Sequence, residues 1–250
     1  MDSVTTTSAL ALGFVLGLRH AVEADHLAAV SAIVSERRGV LGASLLGGLW
    51  GVGHTVSLAA AAAAFLLFDV RVGGRTALAL EACVGAMLVA LGANALRRLA
   101  RGGRVHLHFH SHGGREHAHP HLHDDAEHAH EHGRAERIAH THHGLRFDAR
   151  TLFVGMLHGL AGSAALMLLV VSTAESRLAG LLYVVVFGIG SAGGMMLMGA
   201  LVSLPLRLTA ARSTRANLLL RGAAGLFSLG LGLLMIYEIG SVSGLFRLPR

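Results

Sequence analysis

Four ionisable side chains, His20, Glu23, Asp25 and His26, fall within seven positions of an otherwise apolar stretch. Such a group at bilayer depth costs ~2.5 to 3.5 kcal/mol even on the lenient insertion scale, which makes each a functional candidate. Imidazole together with carboxylate is a donor set for a divalent metal ion. At 100° per residue, His20, Glu23 and His26 lie within about a 120° arc, while Asp25 points to the other side. One ideal helix therefore cannot turn all four to one ion. Either the helix unwinds here, as in transporters with discontinuous spans, or Asp25 serves another partner, Arg19 or a histidine that it orients. His54, within Gly51-Val52-Gly53-His54-Thr55, lies near the middle of a second apolar run, and its flanking glycines let another helix approach closely. His158 opens His158-Gly159-Leu160-Ala161-Gly162-Ser163 in a further run. A lone buried histidine is more often a hydrogen-bonding structural residue than a ligand. Several histidines and two carboxylates converging at mid-depth favour metal contact. The candidate metal residues are thus His20, Glu23, Asp25, His26, His54 and His158, with Glu81, Ser163 and Ser191 as candidate pathway residues.

A second concentration of imidazoles lies between residues 106 and 143, which hold 14 of the 18 histidines: His106, His108, His110, His112, His117, His119, His121, His123, His128, His130, His132, His140, His142 and His143. Asp124, Asp125, Glu116, Glu127, Glu131 and Glu136 are interspersed among them. A segment of this composition cannot bury a core, so the expectation is a disordered linker. Its imidazoles would bind zinc, copper or nickel without fixed geometry, as a reservoir or sensor. That binding requires neutral histidine and is lost below about pH 6.

The elements that must position these groups are membrane helices. Hydrophobic residues make up 53% of the 250 positions and charged ones 14%, against roughly 25% charged in a soluble domain. The single cysteine, Cys83, lies inside an apolar run, which excludes an intramolecular disulfide and a cysteine metal cage. All 21 basic residues are arginine, mostly in the connections between apolar segments, where they are topology signals and not a nucleic-acid surface. Hydropathy places spans near residues 8 to 33, 40 to 68, 76 to 99, 151 to 174, 178 to 204 and 216 to 240. The segments are long, continuously apolar and without alternation, so helices are expected and not a barrel. Arginine is heavier in the first, third and fifth connections, which puts the histidine-rich loop in the cytoplasm.

The two halves of the chain resemble each other. Gly17-Leu18-Arg19-His20-Ala21 echoes Gly155-Met156-Leu157-His158-Gly159, Trp50-Gly51-Val52-Gly53-His54 echoes Phe187-Gly188-Ile189-Gly190-Ser191, and Gly85 with Gly92 echoes Gly225 with Gly232, at offsets of 138, 137 and 140 residues. Three spans per half is an odd number, so the second copy enters the membrane inverted, an architecture that places a transporter's site near the midplane. The expected fold is all-α: six transmembrane helices in a 3+3 inverted repeat with a disordered, histidine-rich cytoplasmic loop. Residues 1–104 form the first repeat, 105–147 the flexible loop and 148–250 the second repeat. His158 then matches His20 and Ser163 matches Asp25, so the site is asymmetric and built mainly from the first half.

Arg19-His20-Ala21-Val22-Glu23-Ala24-Asp25-His26 resembles the signature of the nickel/cobalt transporter (NiCoT) family, a histidine followed after four residues by Asp-His, and Gly53-His54-Thr55 resembles that family's glycine-histidine motif. The run from His158 to Ser163 looks like the six-span urease-accessory-type relatives, and the histidine loop looks like the efflux branch. The signature usually has aspartate where this chain has Glu23. The resemblance implies a permease for nickel or cobalt in the bacterial cytoplasmic membrane, with efflux or homeostasis ahead of two alternatives: nickel uptake, or an accessory protein supplying nickel to an enzyme such as urease. No catalytic residue, cofactor or nucleic-acid partner is expected. The partners are the transported Ni2+ or Co2+ and the lipid bilayer, with homo-oligomerisation left open. A membrane metalloenzyme of the histidine-box kind is disfavoured, because only four histidines lie outside the loop.

Overall fold

The computed structural model describes residues 3–35, 39–68, 70, 73–101, 105–112, 115–122, 149–173 and 176–242. Seven α-helices dominate: α1 Ser3–His20, α2 Ala24–Val34, α3 Val40–Phe68, α4 Gly74–Ala100, α5 Ala149–Thr173, α6 Arg177–Arg212 and α7 Thr214–Tyr237, the last ending in a π-helical turn, Glu238–Val242. Among the described residues, four helices are long and apolar enough to cross a bilayer: α3, α4, α6, and α7 with its extension. The segment expected as one span over residues 8 to 33 is instead two helices, α1 and α2. The expected end of the fifth apolar segment at residue 204 also moves, because α6 continues through Pro205 to Arg212.

The described surface is rich in apolar side chains, while several polar ones are buried among an apolar core. Phe68, Phe153, Leu219 and Leu226 are among the large apolar side chains left exposed, whereas His26, His54, His158 and Ser191 are buried. Water rewards the reverse arrangement; a hydrocarbon solvent permits this one. Helices surrounded by lipid gain little from burying leucine, so they associate through close backbone approach at small residues. A β-carbon at Gly17 of α1 would overlap the Phe187 carbonyl of α6, and one at Gly155 of α5 would overlap the Trp50 carbonyl of α3. α3 and α6 run antiparallel, with Gly51 against Ala192 and Gly188 against Thr55. The Thr55 hydroxyl lies 2.8 Å from the Gly51 carbonyl and 2.9 Å from that of Gly188, which pins this pair. α4 and α7 are also antiparallel, Gly85 meeting Gly232 and Gly92 meeting Gly225, and Ser228 donates to the Leu88 carbonyl at 2.9 Å.

The histidine-rich connection differs from the expected disorder over part of its length. β1, Val105–His112, pairs antiparallel with β2, Arg115–Leu122, in the register His106 to His121, His108 to His119 and His110 to His117. Its sequence has the reason: histidine alternates there with Val105, Leu107 and Phe109, a period of two that fits a strand. His123, His128, His130, His132, His140, His142 and His143 lie outside the described residues.

The glycine contacts are testable by size alone. Gly155→Ala forces α5 away from the Trp50 carbonyl and costs ~1 to 3 kcal/mol, the usual range for overpacking. The purified protein in detergent then melts at a lower Tm. Gly193→Ala on α6, where a β-carbon meets nothing within 4 Å, does not lower Tm.

Candidate metal site

The break between α1 and α2 is the local event that builds the site. After His20 the chain tightens, Val22 N donating to the Arg19 carbonyl and Glu23 N to that of His20, both at 3.1 Å. Glu23 is then extended (φ −63°, ψ 151°), and α2 starts at Ala24 with Asp25 in its first turn. A carboxylate there meets the positive end of the helix dipole, and Asp25 Oδ1 accepts from the His26 backbone N–H at 2.9 Å. Both readings of the sequence at this point are realised together. The helix is unwound, and Asp25 turns to histidines.

Asp25 is the centre of the hydrogen-bond network. Its Oδ1 lies 3.0 Å from His26 Nδ1, and its Oδ2 lies 2.9 Å from His158 Nε2 on α5. One carboxylate thereby ties α2 to a helix more than a hundred residues away. Glu23 Oε2 stands 3.0 Å from His20 Nδ1 in the same manner. Exposure is graded across these groups: the Glu23 side chain is 55% exposed, Asp25 26% and His20 17%, whereas His26 is 1% and His158 2%.

Two overlapping groups of donors result. One ligand atom from each of His20, His26 and His54 lies within 4.8 Å of the others, and the same holds for Asp25, His26 and His158. The rings crowd accordingly, with centroids 4.4 Å apart for His20 and His26, 4.2 Å for His26 and His158, and 5.2 Å for His54 from both His20 and His26. Four helices supply them, α1 and α2 from the two sides of the break. α3 brings His54, and α5 brings His158 because Gly155 and Gly159 let its backbone seat against Trp50 and His54.

The buried polar atoms without a partner are the strongest indication of a guest. His26 Nε2, both nitrogens of His54 and His158 Nδ1 are buried and make no hydrogen bond. Unpaired buried polar atoms cost ~1 to 3 kcal/mol each. Several of them on the residues of two overlapping close groups are the expected signature of a site that receives a cation.

Of the remaining sequence-selected residues, Ser191 is fully buried on α6 with its hydroxyl unpartnered. Glu81 is half-buried on α4 and belongs to neither donor group. Ser163 falls in α5, and its side chain lies outside the described residues. Two aromatic walls were not singled out from sequence. Trp50 packs 5.3 Å from the His26 ring and 5.4 Å from that of His158, and Phe187 packs 5.4 Å from that of His20. Their signal was present, since Trp50 and Phe187 occupy matching places in the two halves.

Over 248 residues the chain is 36% identical to the urease accessory protein UreH of a Bacillus species (strain TB-90), covering 99% of both sequences. No protein-family profile matches the chain, and no solved structure does.

The bridge through Asp25 predicts energetic coupling between the halves. In metal-free protein, Asp25→Ala and His158→Ala each lower stability. The double variant loses less than the sum of the two, by on the order of 1 to 2 kcal/mol, in a thermal-denaturation mutant cycle. Additive effects would deny the bridge.

Proposed function

The chain belongs to the family of the urease accessory protein UreH, and from that premise we propose that it is an integral membrane permease for a divalent transition-metal ion, nickel or cobalt. The observation that carries this reading is the set of buried, unpartnered imidazole nitrogens gathered at a helix break. Nitrogen donors suit nickel, cobalt, zinc and copper, and the likeness of the His20 to His26 run to the nickel/cobalt transporter signature selects among them. His20, Glu23, Asp25, His26, His54 and His158 form the station at which the ion, stripped of water, pauses between the two faces of the membrane.

A 3+3 inverted repeat supplies the moving parts, with α1 and α2 together matching α5, α3 matching α6, and α4 matching α7. The pairings support it. Gly17 against Phe187 is exchanged by the repeat offsets for Gly155 against Trp50, and Gly190 against Phe14 for Gly53 against Leu152. Gly85 against Gly232 becomes Gly225 against Gly92. His20 beside Phe187 likewise becomes His158 beside Trp50, both with 5.4 Å between ring centroids. Counting the broken α1–α2 pair as one span gives six, with the histidine-rich connection in the cytoplasm by arginine bias.

On direction, the sequence leaned toward efflux through the histidine loop, whereas kinship with a urease accessory protein favours its alternative, the supply of nickel to an enzyme. In that second reading the protein binds nickel for delivery and moves none across the bilayer. Sealed vesicles containing the purified chain separate the two. Radioactive nickel accumulating down an imposed gradient supports the permease, and binding without accumulation supports the accessory role.

Under the permease reading, His20→Ala and His26→Ala each reduce vesicle nickel flux to the protein-free background while the protein still inserts. Normal flux in either removes the site at the helix break. Deleting residues 106 to 143 lowers the apparent affinity for nickel and retains measurable flux. A total loss would make the histidine-rich connection part of the pathway.

A further inference from the structure

A carboxylate can only accept hydrogen bonds, so a ring nitrogen bonded to it must carry the proton. Glu23 holds Nδ1 of His20 and Asp25 holds Nδ1 of His26, each at 3.0 Å. Both rings are thereby set with the proton on Nδ1 and a free lone pair on Nε2. His26 Nε2 is one of the buried atoms without a partner, and His54, the third member of the same close group, has both nitrogens unpartnered. Asp25, by contrast, already has both oxygens engaged: Oδ1 receives the His26 ring and its backbone N–H, and Oδ2 receives His158.

Resting on the metal-permease reading, we infer that Glu23 and Asp25 are positioning residues that do not touch the ion, and that the cation is carried on imidazole alone, by Nε2 of His20, Nε2 of His26 and one nitrogen of His54. His158 is then the second half's handle on Asp25. It joins a close group only with Asp25 and His26, and its ring is the more distant from His54, at 6.0 Å.

The chemistry fits a carrier. Imidazole nitrogens around one ion at about 2.0 to 2.1 Å stand about 3.3 Å apart in tetrahedral geometry, and one nitrogen from each of His20, His26 and His54 already lies within 4.8 Å of the others. Three protein ligands leave a position open for water, by which the ion enters and leaves. The two carboxylates still balance the ion's charge, one ring away, and make the rings more basic. Magnesium, calcium and manganese favour oxygen and are poorly served by three imidazoles. An aspartate bonded directly to the ion would admit them more readily.

Replacing the fourteen histidines between 106 and 143 with asparagine in the full chain leaves four histidines, His20, His26, His54 and His158. Nitrogen-15 NMR of that protein, labelled at histidine, reads the proton on every ring, and diamagnetic zinc serves as the probe. Expected without metal is Nδ1–H at His20 and His26. Zinc then shifts Nε2 of both and one nitrogen of His54, and leaves His158 unmoved. Asp25→Asn keeps its oxygen on His26, so the same nitrogens shift at a zinc affinity ~10- to 100-fold lower. Glu23→Gln gives the same comparison at His20 should Asp25→Asn fail to fold. Zinc displacing the proton from Nδ1 of His20 or His26, or binding His158, overturns the assignment of roles and leaves the metal station standing. No shift at any of the four rings in the parent protein sinks the metal station itself.

Discussion

The arrangement depends on a single carboxylate placed between two imidazoles in a setting where neither could be left alone. Asp25 lies in the first turn of α2, where the helix dipole and the His26 backbone N–H favour its charge, and it hydrogen-bonds His26 on its own helix and His158 on α5. Removing either histidine would leave a half-buried carboxylate short of a donor; removing Asp25 would leave two buried ring nitrogens without an acceptor. In a medium that solvates ions poorly, each of those losses is larger than in water. The rest of the structure can be read as the means of bringing His158 to within 2.9 Å of Asp25.

That means is backbone contact through glycine. Lipid offers no hydrophobic drive for one helix to join another, so helices gain by approaching closely enough for backbone atoms to pack. Gly155 and Gly159 seat α5 on α3 at the level of Trp50 and His54, and Gly17 seats α1 on α6 at the level of Phe187 and Ser191. The same contacts that hold the bundle therefore set the height at which the imidazoles meet. Packing and chemistry are one constraint here, which is why bulk at a glycine and loss of a histidine damage the same place.

Much of this was legible in the sequence, for reasons that differ from residue to residue. The ionisable residues from His20 to His26 stood out because charge in an apolar run is costly, and His54 because it is polar at mid-span between glycines. The angular conflict of Asp25 with His20, Glu23 and His26 already required a break or a second partner, and the structure has both. What sequence could not supply was distance. Nothing in the periodicity of α5 says that His158 bonds Asp25 and not His54, since that depends on how deep one helix sits against another. The hairpin at residues 105 to 122 was missed for another reason. Composition argues for disorder over the whole connection, whereas the strands follow a local signal, the alternation of histidine with Val105, Leu107 and Phe109.

Under the proposed permease reading, the unequal chemistry of the two halves of the sequence follows from what a carrier must do. A perfectly duplicated site would place two sets of carboxylates and imidazoles about the pseudo-axis, and the doubled negative charge would hold a divalent ion too tightly to release. Here the position matching Asp25 is Ser163 and the position matching His54 is Ser191, so charge is confined to one half while hydroxyls take the corresponding places in the other. The second half retains only His158, matched to His20, and that histidine is engaged with Asp25 and not with the ion on the assignment above. Its bond joins the two parts of the chain that the permease proposal sets in motion, so under that proposal a rocking of one repeat against the other would strain it. The ion's grip then changes with the conformation, because His26 is oriented by the same carboxylate that His158 holds in place. Under the proposed function, an inverted-repeat frame with one charged copy would thus couple release to movement through a single side chain.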